Sequence, residues 1–182
     1  MSPLPSSRDK IVDAAEKIVI KVGATHMTLD AVAEKAGVSK GGLLYHFPNK
    51  EALLKAMLNR RVQRLEEARK KKCAELQDGP TREIKAYISS TLDHDRKTDR
   101  IGASLLAAAA HDPKLLDPVR EDYRRRLNKL IPAGLRFERA AVITLAVDGL
   151  RLLELLSLSP FNEEQRKKVI EEMLRLADEE MQ

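Results

Sequence analysis

Any reaction run by this 182-residue chain would have to be built from four histidines, one cysteine and scattered carboxylates. His26, His46, His94 and His111 are far apart. A metal site needs several ligands at turn or helix spacing, and neither His94, between Asp93 and Asp95, nor His111-Asp112 has a second histidine or cysteine at that spacing. No metal and no cofactor is expected. There is no phosphate-cradling glycine loop, and nothing supports a Ser-His-Asp triad, so no catalytic residue is assigned and the chain is not expected to be an enzyme. Cys73 follows Lys70-Lys71-Lys72, and nearby positive charge lowers a thiol pKa. Two readings stay open there, a redox switch and an inert helix cysteine.

The chemistry that the sequence does offer is recognition of a polyanion. Residues 28–50 read TLDAVAEKAGVSKGGLLYHFPNK. Thr28 and Ser39 stand where helix caps belong, and Gly37-Val38-Ser39 separates two short helices. Gly37 supplies the backbone freedom of a sharp turn and Val38 closes the angle, which makes a helix-turn-helix. Val32, Ala36, Val38 and Leu43 form its miniature core, with Ala33 small at the crossing. In such a motif the second helix enters the DNA major groove and presents its N-terminal residues to base edges. The N-termini of that helix and of the next, at Lys50, face phosphate.

The elements that must position these residues are helices throughout. The sequence has 26 leucines and 21 alanines against 10 valines and 9 isoleucines, a balance that favours helix over sheet. Ser6 or Ser7 caps a first helix with the stripe Ile11, Ala15, Ile18 and Val22, ending at Gly23. The two motif helices follow, the second running from Lys40 to Phe47 and stopping at Pro48. Asn49 caps a long helix from Lys50 to about Leu76, able to connect two lobes. Further helices are expected over 81–92, 99–110 and 118–130, the last with Pro118 in its first turn. A break over 131–136 precedes an apolar helix over 137–156. Asn162-Glu163-Glu164-Gln165 has capping-box spacing and opens a last helix to about Glu180.

Ile11 through Leu54 resembles the DNA-binding domain of the TetR family of bacterial transcriptional regulators. The likeness is carried by Leu29 to Gly41 (LDAVAEKAGVSKG) and by Leu43 to Leu54 (LLYHFPNKEALL). It implies an all-α chain of about nine helices: a three-helix DNA-binding domain over residues 1–50, with its motif over 28–47, and a larger helical effector-binding and dimerisation domain over 51–182. Residue by residue, it implies phosphate contacts at Thr28, Ser39 and Lys50, base-reading positions at Lys40 and Gly42, and backbone or thymine-methyl contacts at Tyr45 and His46. Arg8 and Lys10 can add non-specific contacts. Leu44 and Gly42 depart from the family pattern, where an aromatic and a hydroxyl or amide are common. Consecutive Gly41 and Gly42 remove base-reading groups, so closer backbone approach and some reliance on DNA shape are expected. Each basic or aromatic residue also has a plainer reading, a solvated lysine or a core ring, and Phe47 is read as core.

Charge agrees with this division. Residues 1–72 carry 15 positive and 8 negative side chains, residues 73–182 carry 18 and 20, and the whole chain has a net charge of +5. Much of the excess lies over 60–72, beyond the motif, where it serves long-range attraction.

The C-terminal half is less explicit. The helix over 137–156 is apolar nearly all round, with Val142, Leu145, Ala146, Leu153 and Leu156 on one side and Ile143, Val147 and Leu150 on another. Val169, Ile170, Met173, Leu174, Ala177 and Met181 make a second stripe. The resemblance implies a homodimer through these last two helices. Thr144, Asp148 and Arg151 share one face and are weak candidates for an effector pocket, although an Asp148–Arg151 pair explains them as well. The small residues of Ala103 to Ala110 either line a pocket or allow close helix packing. No signal-like segment, no apolar run of ~20 residues and no disulfide partner for Cys73 are found, so the protein is expected in the cytoplasm, with no membrane partner. The expected function is a ligand-responsive regulator. Implied by the resemblance, it is a repressor that binds a pseudo-palindromic operator in double-stranded DNA and is released by a small-molecule effector. The alternative is a helical enzyme or protein-binding adaptor in which DNA binding is secondary.

Overall fold

The computed structural model describes residues 6–93, 96–110, 112–130 and 136–178, and of residues 96–98 and 130 the backbone only. Expectations for His94, His111, Met181, the break over 131–135 and the helix end at Glu180 lie outside the described residues. Those residues form nine α-helices and no strand: α1 Ser7–Val22, α2 Leu29–Ala36, α3 Lys40–His46, α4 Lys50–Glu75, α5 Arg82–Leu92, α6 Arg96–Ala109, α7 Asp117–Leu130, α8 Phe137–Leu155 and α9 Glu163–Asp178.

Local signals explain most boundaries. Ser6, Thr28 and Ser39 each accept a hydrogen bond from the backbone N–H three residues on, at 3.0–3.2 Å. Asn49 does the same for Ala52 at 2.8 Å. Such caps satisfy amides that the first helical turn leaves unpaired. Asn162 and Gln165 close a reciprocal capping box, at 3.0 and 2.9 Å. Two features differ from expectation. α6 begins at Arg96 rather than near Asp99, and a 3-10 turn at Pro113–Leu116 precedes α7. Asp112 caps that turn by accepting from the Lys114 N–H at 3.1 Å.

The chain divides into two compact units, Met1–Val62 with Arg96–Val119, and Gln63–Asp95 with Arg120–Gln182. In the first, one apolar core gathers Ile11, Val12 and Ala15 of α1, Val32 of α2, Leu43 of α3, and Leu53 and Met57 of α4. Ile101, Leu105 and Ala109 of α6 complete it. The alanine-rich run of α6 thus serves close helix packing. Arg60 ties α4 to α1 through ion pairs with Asp9 at 3.1 Å and with Asp13. In the second unit, Ile84, Tyr87, Ile88 and Leu92 of α5 pack with Ala140, Ile143, Val147 and Leu150 of α8 and Met173 and Ala177 of α9. The α9 stripe is therefore largely core of its own unit. The opposite side of α8 is bare: Val142, Leu145, Leu152 and Leu156 are all exposed, Leu145 by 72%.

Candidate functional site

The first unit presents α3 as an exposed helix on a rigid base. Gly37 ends α2 in the left-handed region, φ 68°, and the Val38 N–H closes on the Ala33 carbonyl at 3.1 Å. This geometry costs a glycine little and other residues more. Leu43 is fully buried and Phe47 is 2% exposed, so one side of α3 is anchored in the core. Its other side carries Lys40, Gly41 and Tyr45, and Tyr45 is 86% exposed. A tyrosine that exposed contributes nothing to packing. Its ring stands edge-on to His46, centroids 5.2 Å apart.

The structure gives several of the sequence candidates partners within the protein. Lys40 Nζ lies 2.8 Å from Asp30 Oδ1, with both side chains largely exposed. Lys50 Nζ donates to the Thr25 carbonyl at 2.6 Å, and partial burial lowers its pKa. The Ser39 hydroxyl caps α3 through the Gly42 N–H. Nothing stands within 4 Å of a Cβ built on Gly41, whereas one built on Gly42 would lie 3.2 Å from Ser39 Oγ. Arg8 lies over the Phe47 ring, 5.2 Å from its centroid.

The second unit contains a partly buried polar cluster that sequence reading found only in part. Tyr87 is 1% exposed, and its hydroxyl donates to Asp148 Oδ1 at 2.5 Å. The Arg126 guanidinium lies against two rings, 4.3 Å from the centroids of both Tyr87 and Tyr123. Its Nη2 is 3.7 Å from Asp148 Oδ2. Burial, then the Asp148 carboxylate, push the Tyr87 phenol well above the ordinary tyrosine range and raise that of Tyr123. Thr144 is 5% exposed and its hydroxyl has no hydrogen-bond partner in the protein. Asp148 and Thr144 were candidates from the sequence; Tyr87, Tyr123 and Arg126 were not. The i, i+3 spacing of Tyr123 and Arg126 was the available signal.

Cys73 does not have the expected electrostatics. Burial, and then Glu83, which accepts from its thiol at 3.4 Å, raise its pKa. The neighbouring lysines do not set its reactivity. Among the described residues no three His, Cys, Asp or Glu side chains are grouped to hold a metal, and no helix is long and apolar enough to cross a membrane.

A helix-turn-helix head whose second helix is anchored on one side and bare on the other belongs to the class of DNA-binding regulators. Residues 11–57 match the family described as bacterial regulatory proteins, tetR family, and residues 81–178 match the tetracyclin repressor-like C-terminal domain. The chain belongs to the TetR family of transcriptional regulators, which is not an enzyme family. It is 25% identical to the HTH-type transcriptional regulator BetI of Stenotrophomonas maltophilia over 175 residues, 91% of this chain and 89% of that one. To BetI of Serratia proteamaculans it is 28% identical, covering 82% and 77%. Among solved structures, a TetR-family member from Streptomyces coelicolor A3 superposes with a TM-score of 0.69 at 27% identity, over 94% and 98% of the two chains. The multidrug binding protein EbrR complexed with ethidium gives 0.67 at 25%, with the same coverage.

Proposed function

We propose that this regulator is a repressor that occupies a pseudo-palindromic operator as a homodimer and leaves it when a small molecule binds the C-terminal part of the chain. Residues 1–50 read the DNA; residues 51–182 bind the effector and dimerise. At the DNA, Thr28, Ser39 and Lys50 hold phosphates, Lys40 reaches a base edge, Gly41 and Gly42 let the backbone approach, and Tyr45 and His46 meet the far backbone or a thymine methyl. The observation that carries this reading is Tyr45, 86% exposed on a helix whose other side is fixed by Leu43 and Phe47. Lys40 and Lys50 exchange Asp30 and the Thr25 carbonyl for phosphate or base on binding.

The bare side of α8 supports the dimer. Val142, Leu145, Leu152 and Leu156 form a stripe at i, i+3, i+10 and i+14, and two copies packed face to face would bury it with two-fold symmetry. EbrR, solved with ethidium, supports a small-molecule effector for this chain. The test is selection of bound duplexes from random DNA, followed by fluorescence anisotropy. Two-fold-symmetric sites bound well above a salt-sensitive background are expected. Absence of symmetric preference would overturn the operator reading. Sedimentation of a monomer at micromolar concentration, or a Leu145→Glu variant that stays dimeric, would overturn the interface.

A further inference from the structure

We propose that Arg126 is the ligand-reading residue of the second unit, and that its ligand is an organic carboxylate held by two parallel hydrogen bonds along the Nε and Nη2 edge of the guanidinium. The proposal rests on the effector reading above for its regulatory meaning and names the chemistry of the ligand.

A guanidinium has five donors in one plane, so it bonds through its edges and stacks through its faces. Two tyrosine rings, those of Tyr87 and Tyr123, each lie with their centroid 4.3 Å from the Arg126 guanidinium carbon. Its side chain is only 11% exposed. Within that enclosure Nε and Nη2 are buried and have no hydrogen-bond partner in the protein. These two atoms are neighbours on a single edge, their N–H bonds parallel and spaced to meet the two oxygens of one carboxylate. Buried donors on a charged group are costly to leave unmet, and proteins seldom do so without a reason at that site.

The nearest acceptor does not account for the edge. Asp148 Oδ2 is 3.7 Å from Nη2, outside hydrogen-bonding range, and Oδ1 already accepts from the Tyr87 hydroxyl at 2.5 Å. Asp122, whose charge also acts on Arg126, faces Arg125 at 3.3 Å. Thr144, one turn before Asp148 on α8, adds a buried hydroxyl without a partner in the protein, available to a ligand oxygen.

The same geometry argues against a cation. The aromatic faces and carboxylate that would hold one are already occupied by the guanidinium. What Nε and Nη2 lack is an acceptor within hydrogen-bonding range. The contacts with two rings also restrain the arginine before any ligand arrives, so less side-chain freedom is lost on binding.

The experiment is calorimetric titration of the full chain with benzoate and octanoate, each beside its primary amide, and with tetramethylammonium. The carboxylates are expected to bind and the amides to bind at least ~10-fold more weakly, as a charge-assisted bidentate contact requires. Arg126→Lys keeps the charge and loses the edge, so carboxylate affinity should fall ~10-fold or more. Thr144→Val, close in shape, should cost several-fold and serves if the arginine variant does not fold. Equal affinity for acid and amide, undiminished binding to both variants, or no carboxylate binding at millimolar concentration overturns the site. Operator release by tetramethylammonium and not by carboxylates overturns the ligand class and leaves the effector reading standing. Carboxylate binding that leaves operator anisotropy unchanged supports the site and overturns the effector reading.

Discussion

Gly41→Ala separates what α3 needs for folding from what it needs for DNA. Gly41 is exposed, has no positive φ, and offers open space around a new Cβ. The substitution therefore removes only unfolded-state freedom and should stabilise the chain by about 0.4–1 kcal/mol. For a protein of this size that is a rise in Tm of about 1–4 °C. If the α3 backbone closes on the groove, the same methyl enters a packed interface, where an added carbon costs about 1–3 kcal/mol. That corresponds to a roughly 5- to 150-fold loss of operator affinity. Phosphate contacts are untouched, so the slope of affinity against salt should not change. Gly42→Ala is the internal comparison. Its Cβ would sit 3.2 Å from Ser39 Oγ, the atom that caps α3. The propensity gain is then offset by a weakened cap, worth about 1 kcal/mol, and Tm should barely move. Thermal melting and operator anisotropy on the two variants provide both measurements. A Gly41→Ala protein that is more stable and binds the operator with unchanged affinity and sequence preference would refute the close approach of the backbone.

Tyr45→Ala should leave stability within about 0.5 kcal/mol and lower operator affinity, whereas Phe47→Ala should cost about 3–5 kcal/mol in urea denaturation. The two rings are 86% and 2% exposed. Burial alone would raise the pKa of Glu66, but Arg69, at 2.5 Å, and Lys129 outweigh it and hold the pKa below the ordinary 4.5. Its contribution to stability is thus complete above pH 4.5 and lost as the pH falls below it, so Glu66→Gln should flatten the acid limb of the stability curve there. Cys73 should react with iodoacetamide at pH 8 more slowly than an exposed cysteine, and Glu83→Gln should speed the reaction. Unchanged alkylation in that variant would show that Glu83 does not set the thiol's reactivity.

The head was readable from the sequence because its signals are local. A cap at Ser39, a left-handed turn at Gly37 and a stop at Pro48 are decided by residues a few positions apart, and α8 announced its two faces by period. The second site was not readable, because Tyr87, Arg126 and Asp148 come together from three helices. Asp148 is met by Tyr87 and Arg126, which stand on helices far from it in the sequence. Lys40 likewise meets Asp30 across the turn. The place of α6 in the first core was hidden for the same reason, since Ile101 and Leu105 pack with residues of α1 almost a hundred positions earlier.

The division into units suggests where coupling must run along the chain. The chain passes from one unit to the other at 62–63, 95–96 and 119–120. The first crossing falls inside α4 and the third inside α7, both continuous helices. Along α7, Val119 packs in the core that holds α3, while Tyr123 and Arg126 belong to the partly buried polar cluster, within two turns. A ligand held by Arg126, as proposed above, would act on a helix whose first turn belongs to the unit that contains α3. Glu121→Gly, at an exposed position between these residues, should loosen α7 by about 1 kcal/mol without removing any contact of the cluster. Effector affinity should be nearly retained and operator release weakened, because coupling depends on the connecting element and binding on the site. Effector and operator titrations on the variant measure the two separately. Coupling equal to that of the unaltered chain would exclude α7 as the route and leave α4 to carry it.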